Sequence, residues 1–347
     1  MRVVSAILVS AILLAGVVTH AATWDEPFHR DVVLGADSFG LFETVSVTPF
    51  TTTFKRIRTL AGADTGETTT VDGFYESISP GTTSTRPGQT YDDEWTLRFR
   101  AGRRYYLFLK RAPASGAGVL RAPGAPPDPG GESWRIASPT GGVAEAQADG
   151  MVIATYRHSL HQALIDAPTY ELTQTCVFDA LHQARPCSPD VQAFIDAQLA
   201  KPPASLLGTP SAAERESFFK QHVALETAYL AGHRIELPRL EPFLQAAFFH
   251  TQVSAVRALA RSPAPERNTR LSTFVMDDTR DPLARVFGVA AIRELRAVDL
   301  KDGLTAYLPN ASTQRTSLGA AVSDSRIGTI FPGSVQLALG QLLNEWK

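Results

Sequence analysis

Cysteine is scarce in this chain: 347 residues contain two, Cys176 and Cys187. Two thiols with no accompanying Cys/His ligand pattern do not make a zinc site. In an oxidising compartment a lone pair this close in sequence is expected to form a disulfide, the alternative being two buried free thiols. Lysine is also rare, with six among the 33 basic residues, and the formal net charge of −2 leaves no basic excess. Nucleic acid and anionic membrane surfaces are therefore not expected partners. There is no Gly-x-Ser-x-Gly elbow, phosphate loop or dinucleotide fingerprint, so no cofactor is expected. Ser115, the one serine set between alanine and glycine in a comparable way, lies in a Pro/Gly-rich insert that is poorly suited to hold a nucleophile.

Long apolar runs are absent after the start of the chain. The start itself carries Met1-Arg2, an apolar stretch from Val3 to Val18, and the small-residue exit Thr19-His20-Ala21-Ala22. This stretch is shorter than the roughly 20 residues a spanning helix needs. One positive charge, a short apolar core and small residues at the cut are the pattern of a cleavable export signal over residues 1–21. The expected location is periplasmic or extracellular, with no transmembrane segment once the signal is removed.

Residues 22–156 have the composition of a β domain. Val32 to Gly35, Leu41 to Thr48, Thr51 to Leu60, Thr68 to Tyr75, Trp95 to Phe99, Arg104 to Lys110, Trp134 to Ala137 and Met151 to Tyr156 are rich in β-branched and aromatic residues. Gly-Ala-Asp-Thr-Gly at 62–66 and Arg-Ala-Gly-Arg at 100–103 supply turns. Many short strands with Gly-rich turns favour a small barrel or sandwich. Two loops, 77–93 and 112–131, interrupt the strands. The first runs into Asp92-Asp93-Glu94, which lacks the alternating oxygen-ligand spacing of a calcium loop and reads as a solvated turn.

Three segments, Asp31-Val-Val-Leu-Gly35, Thr53-Phe-Lys-Arg-Ile-Arg-Thr-Leu-Ala-Gly62 and Phe99-Arg-Ala-Gly-Arg-Arg-Tyr-Tyr-Leu-Phe-Leu109, follow each other in an order that resembles the OB-like barrel of netrin-type domains and tissue inhibitors of metalloproteinases. The resemblance implies a closed barrel. Those inhibitors act through an N-terminal cysteine that chelates the protease zinc. The expected mature start has no such residue, so inhibition by that route is not implied.

After residue 156 the apolar period changes from two to nearly four. Residues 157–210 read as a helical linker region containing the cysteine pair. Ser188-Pro189 caps a helix whose face is Val191, Phe194, Ile195 and Leu199, and Pro202-Pro203 stops it. Ser211-Ala-Ala-Glu214 is a capping box that opens a helix to about Ala231, with Gly232 as its C-cap. Residues 211–347 then repeat. The triplets Leu240/Phe243/Leu244, Leu271/Phe274/Val275 and Leu304/Tyr307/Leu308 each open a short helix. Second helices follow, through Val253/Val256/Ala260, Leu283/Val286/Phe287/Ala290 and Leu318/Ala321/Val322. A final helix carries Val335, Ala338, Leu339, Leu342 and Trp346. Paired short helices at this period indicate an α-solenoid, since one pair cannot bury its own apolar face. The segment Asp277-Asp-Thr-Arg-Asp281-Pro-Leu-Ala-Arg285 resembles the inter-helix turn and arginine of HEAT-type repeats. An irregular helical bundle is the alternative. The expected fold class is thus α+β multidomain, an all-β OB-like barrel followed by an all-α HEAT-like domain.

His158 and His161 are the metal candidates, because His-x-x-His on a helix from Tyr156 to Ile165 would set both rings near one face. No adjacent Glu base and no third ligand accompany them, so two junction histidines are the plainer reading. His222 shares a stripe with Phe218, Leu225 and Tyr229 and reads as a packed core histidine, with Glu226 placed to pair with it. Asn310-Ala-Ser312 matches a glycosylation acceptor, meaningful in a eukaryotic host. With no catalytic signature, the expected function is that of an exported, non-enzymatic scaffold that binds a protein or peptide partner through its helical repeats. A secreted metal-dependent hydrolase and a protease-inhibitor-like module are the alternatives.

Overall fold

The computed structural model describes residues 28–48, 51–72, 99–112, 133–138, 141–156, 162–262, 266–316 and 333–347. Strands occupy the N-terminal half and helices the C-terminal half, an α+β layout in two parts. A short helix α1 (His29–Leu34) leads into β1 (Ser38–Val47), β2 (Thr51–Gly62), β3 (Thr68–Asp72), β4 (Arg104–Ala112) and β5 (Ser133–Ile136). These five strands close on themselves in the order β1-β2-β3-β5-β4 and back to β1. All pairings in the ring are antiparallel except β3 with β5, which meet in parallel at Val71 and Trp134.

Three further strands, β6 (Val143–Ala146), β7 (Met151–Thr155) and β8 (Gln162–Asp166), extend the sheet from β4. One edge of β4 pairs with β1, and the other is shared: Leu109 to Ala112 face β5 while Arg104 to Leu107 face β6. The exchange happens at Phe108, whose N–H donates to the Gly142 carbonyl and whose carbonyl accepts from Ala137. Gly142 is needed in this turn, since a Cβ there would lie 2.5 Å from the Ser138 carbonyl oxygen. Strand β4 is buried on both faces. Tyr105, Leu107 and Leu109 point into the barrel with Phe42, Phe54, Phe99 and Trp134. Tyr106 and Phe108 point outward to a second core shared with α1, β7, β8 and the first helices.

The helical half begins with α2 (Ala167–Gln183), which runs directly out of β8. Asp166, the last residue of β8, is its N-cap and accepts from the Thr169 N–H at 2.9 Å. Then follow α3 (Pro189–Leu199), α4 (Ala212–Ala231), α5 (Leu237–Leu244), α6 (Phe249–Leu259), α7 (Glu266–Met276), α8 (Pro282–Leu295), α9 (Lys301–Tyr307) and α10 (Val335–Glu345). Helices α4, α6, α8 and α10 pack in a row, each on the next; α3 packs on α4, α5 on α6, α7 on α8 and α9 on α10. Among the described residues four helical pairs are therefore stacked in two layers. The Ser211/Glu214 capping box is fully formed and Gly232 ends α4 in the left-handed conformation, as the sequence predicts. The leading residues of the three triplets, Leu240, Leu271 and Leu304, are completely buried.

Three sequence expectations are corrected. Val32 to Leu34 is helical, not a strand: His29, Val32 and Val33 share one helical face and are all buried, so packing overrides the β-branched preference. Gln162 to Asp166 is a strand, not the end of a helix from Tyr156: Ala163 and Ile165 are buried while Leu164 is exposed, the period of two. Consequently the sheet runs on past residue 156 to Asp166, and 167–210 holds two helices.

Candidate functional site

The richest concentration of buried polar groups lies where the barrel meets the helices. Helix α4 occupies this seam. From Phe218 to Leu230 it is almost entirely buried, including Gln221, His222, Glu226 and Thr227. A helix with no solvent face must satisfy its polar side chains against neighbours. Glu226, fully buried, accepts from the Arg257 Nε at 2.9 Å and from the Ser254 hydroxyl at 2.8 Å, both on α6. Burial works most strongly against the Arg257 charge, but Glu226, Tyr229 and Glu294 together more than offset it and hold the guanidinium above its ordinary pKa. Arg257 also lies over the Tyr229 ring at 4.1 Å.

The Ser254 hydroxyl has one proton, and the carboxylate of Glu226 takes it. His222 Nδ1, 2.9 Å from the same oxygen, must therefore be the donor of that contact. The relay runs from His222 to Ser254 to Glu226. In a hydrolytic triad the serine gives its proton to the histidine, and the acid sits behind the histidine. The direction is reversed here and Ser254 is fully buried, so this arrangement locks two helices together and does not activate a nucleophile.

The same seam continues toward the barrel. Tyr156, at the end of β7, has its ring centroid 6.5 Å from that of His222 and 6.1 Å from that of His29. The Tyr156 hydroxyl bonds Thr173 Oγ1 at 2.5 Å, and Thr173 donates to the Thr169 carbonyl. Burial, above all, drives the Tyr156 pKa upward, so the phenol stays protonated. His29 bonds Gln174 of α2 at 2.8 Å and stands edge-on to Phe108 of β4, 5.4 Å between centroids. Nearer the surface, Glu171 of α2 accepts from Tyr106 at 2.7 Å and pairs with Arg58 of β2. Helices α1, α2, α4 and α6, strands β2 and β4, and Tyr156 thus each contribute a polar group to the seam.

Two sets of surface ion pairs join successive helical pairs. Asp196 of α3 meets Arg239 of α5, and Glu241 of α5 takes Arg270 of α7 through both oxygens, at 2.6 and 2.9 Å. On the other layer Glu294 of α8 binds Arg261, and Arg293 binds Glu345 of α10. Arg285, 1 % exposed, donates to the Val275 carbonyl at 2.8 Å and pairs with Asp278 at 2.7 Å. It ties the end of α7 to the turn that follows, the position the sequence singled out.

Of the residues the sequence points to, Cys176 and Cys187 are bonded, joining α2 to the start of α3 with their Cα atoms 5.2 Å apart. His222 is a buried core residue, and Glu226 reaches it through Ser254. His158 and His161 lie outside the described residues, as do the export signal, Asp92-Asp93-Glu94, Ser115 and the second helix of the third repeat at Leu318 to Val322. Asn310 is exposed in a single 3-10 turn after α9. Among the described residues no group of three or more His, Cys, Asp or Glu could hold a metal ion, and no helix is long and apolar enough to cross a membrane. His29, Gln174, Ser254 and Arg257 carry no local signal; they are found only through contacts between distant segments.

The fold and the seam define a protein of two parts, a closed five-strand barrel with a sheet extension and a stack of helical pairs, fused through a buried polar core. The chain matches no protein-family model, no curated protein and no solved structure.

Proposed function

We propose that this chain is an exported, non-catalytic interaction protein that binds a protein or peptide partner through its stacked helices. The observation that carries the reading is the arrangement of α3 to α10, four pairs in two layers, cross-linked between pairs by Asp196–Arg239, Glu241–Arg270 and Arg293–Glu345. Such a stack is an elongated, stiff surface of the kind repeat proteins use for recognition. The buried Arg285 at an inter-helix turn supports a HEAT-like identity for the pairs. The ring order of the barrel, with its one parallel contact between third and fifth strands, supports an OB-like identity for the first half, a second face for contacts. The disulfide between Cys176 and Cys187 supports an oxidising location.

The test uses the full chain, because α4 contributes Val223 and Leu230 to the core shared with the barrel. Thr273 on α7 and Thr305 on α9 are exposed on the outer layer. A partner retained by the wild-type chain is expected to be lost from the double variant Thr273→Arg, Thr305→Arg, and kept by Lys55→Glu on the barrel. Undiminished retention by the double variant would defeat the reading for this layer. Loss confined to Lys55→Glu would move recognition to the barrel.

A further inference from the structure

We propose that the seam between barrel and helices is an acid-sensitive latch, in which adding a proton to His29 loosens the packing of α2 against the sheet. Proton accounting comes first. The Gln174 amide nitrogen faces the Thr155 carbonyl at 3.4 Å, so its oxygen faces His29 and can only accept. His29 therefore donates through Nε2 at 2.8 Å, and in the neutral ring Nδ1 keeps its lone pair. The ring is 1 % exposed.

The neighbours of His29 come from every side of the seam. Phe108 of β4 offers a ring edge, Tyr156 after β7 a protonated phenol committed to Thr173, and α2 the Gln174 amide. The Gly141 backbone, in the turn before β6, is also in reach. Among the described residues Glu226 of α4 is the anion that attracts the ring, and its two oxygens already serve Ser254 and Arg257. A second proton would place a full charge among these groups. Burial accordingly dominates and lowers the His29 pKa from 6.5 to about 4, with Gln174, Glu226 and the Gly141 backbone offsetting only part.

The sign follows from linkage. The folded value lies below the unfolded one, so the closed seam resists a proton that the opened seam accepts. The closed form keeps its full stability above pH 6.5, loses it as the pH falls toward 4, and loses no more from this group below that. The opening constant is expected to rise about a hundredfold by pH 4 and to approach about 300-fold below it. Because the contacts of His29 belong to β4, the end of β7 and α2, admitting water to the ring means parting those elements. The inference does not rest on the partner-binding reading.

Hydrogen exchange of the full chain, measured by mass spectrometry from pH 7 to pH 4 and corrected for intrinsic rates, tests it. Peptides from α2 and β7 are expected to show the hundredfold rise in opening in the wild type and less than about a threefold rise in His29→Gln. An equal rise in both proteins would overturn the proposal. So would a rise of equal size in α7 to α9, since that is global acid unfolding. Should the variant fail to fold, the titration of the His29 ring in the wild-type protein by NMR decides: a midpoint near 4 sustains the latch, and a midpoint of about 6 or above ends it.

Discussion

Replacing Arg285 with methionine probes how the helical pairs are held together. The guanidinium serves three groups at once: the Val275 carbonyl, the Asp278 carboxylate and the Tyr307 hydroxyl at 2.5 Å. Val275 lies in the last turn of α7, where carbonyls have no partner within the helix. Methionine fills much of the same space, so the loss is mainly polar. A buried carbonyl left unpaired costs about 1–3 kcal/mol, and the tyrosine contact adds about 1 kcal/mol. Asp278 is 66 % exposed, so its ion pair contributes no more than about 1 kcal/mol. Tyr307 and Asp278 also stay bonded to each other, at 3.0 Å. The expected total is about 3 kcal/mol, read from urea unfolding of the helical transition by circular dichroism at 222 nm. Asp278→Asn serves as the control, with an expected loss below about 1 kcal/mol. If Arg285→Met stays within about 0.5 kcal/mol of the wild type, the carbonyl bond is not a significant constraint. If Asp278→Asn costs as much as Arg285→Met, charge and not the buried carbonyl holds the turn.

Two further outcomes follow from particular residues. Opening the Cys176–Cys187 bridge, by reductant or by Ser substitution, is expected to lower stability by about 3 kcal/mol, given a sequence separation of 11; urea midpoints with and without reductant measure it, and a change below about 1 kcal/mol contradicts the loop-entropy argument. Gly62 ends β2 with φ +78°, and a Cβ there would lie 2.3 Å from the Asp37 carbonyl oxygen and 2.8 Å from Phe178 Cζ. Gly62→Ala is therefore expected to cost more than about 2 kcal/mol, seen as a lower Tm, and an unchanged Tm would show that the β2 end yields freely.

What the sequence made legible is what depends on near neighbours. The Ser211/Glu214 box, the Ser188 cap and the Gly232 stop are patterns within one or two turns and appear where expected, whereas the triplets at 240 and 271 are buried but close their helices and do not open them, and of the third only Leu304 is buried. In β8 the sequence does not separate helix from strand: Leu160, Leu164 and Ile165 fit a helical period about as well as Ala163 and Ile165 fit a strand, and five residues are too few to decide. The start of helix α2 carries a local signal, Asp166 as cap with Pro168 in the first turn, but a helical reading of residues 156–165 runs straight over it. The seam was legible only at His222 and Glu226, which sit one turn apart. Ser254 and Arg257 lie 28 and 31 residues from Glu226, and Gln174 lies 145 from His29. Periodicity carries no information over such separations.

Asp166 closes a strand and caps a helix with one residue, and this sets what the gene can tolerate at that point. Adding a single codon between Asp166 and Ala167 would turn α2 by about 100° relative to the sheet. Glu171, Thr173 and Gln174 would then leave Arg58, Tyr156 and His29 together. Insertions are absorbed easily by surface loops, but here the two halves share a fixed phase. Length changes at this joint are expected to be far more damaging than any single substitution near it.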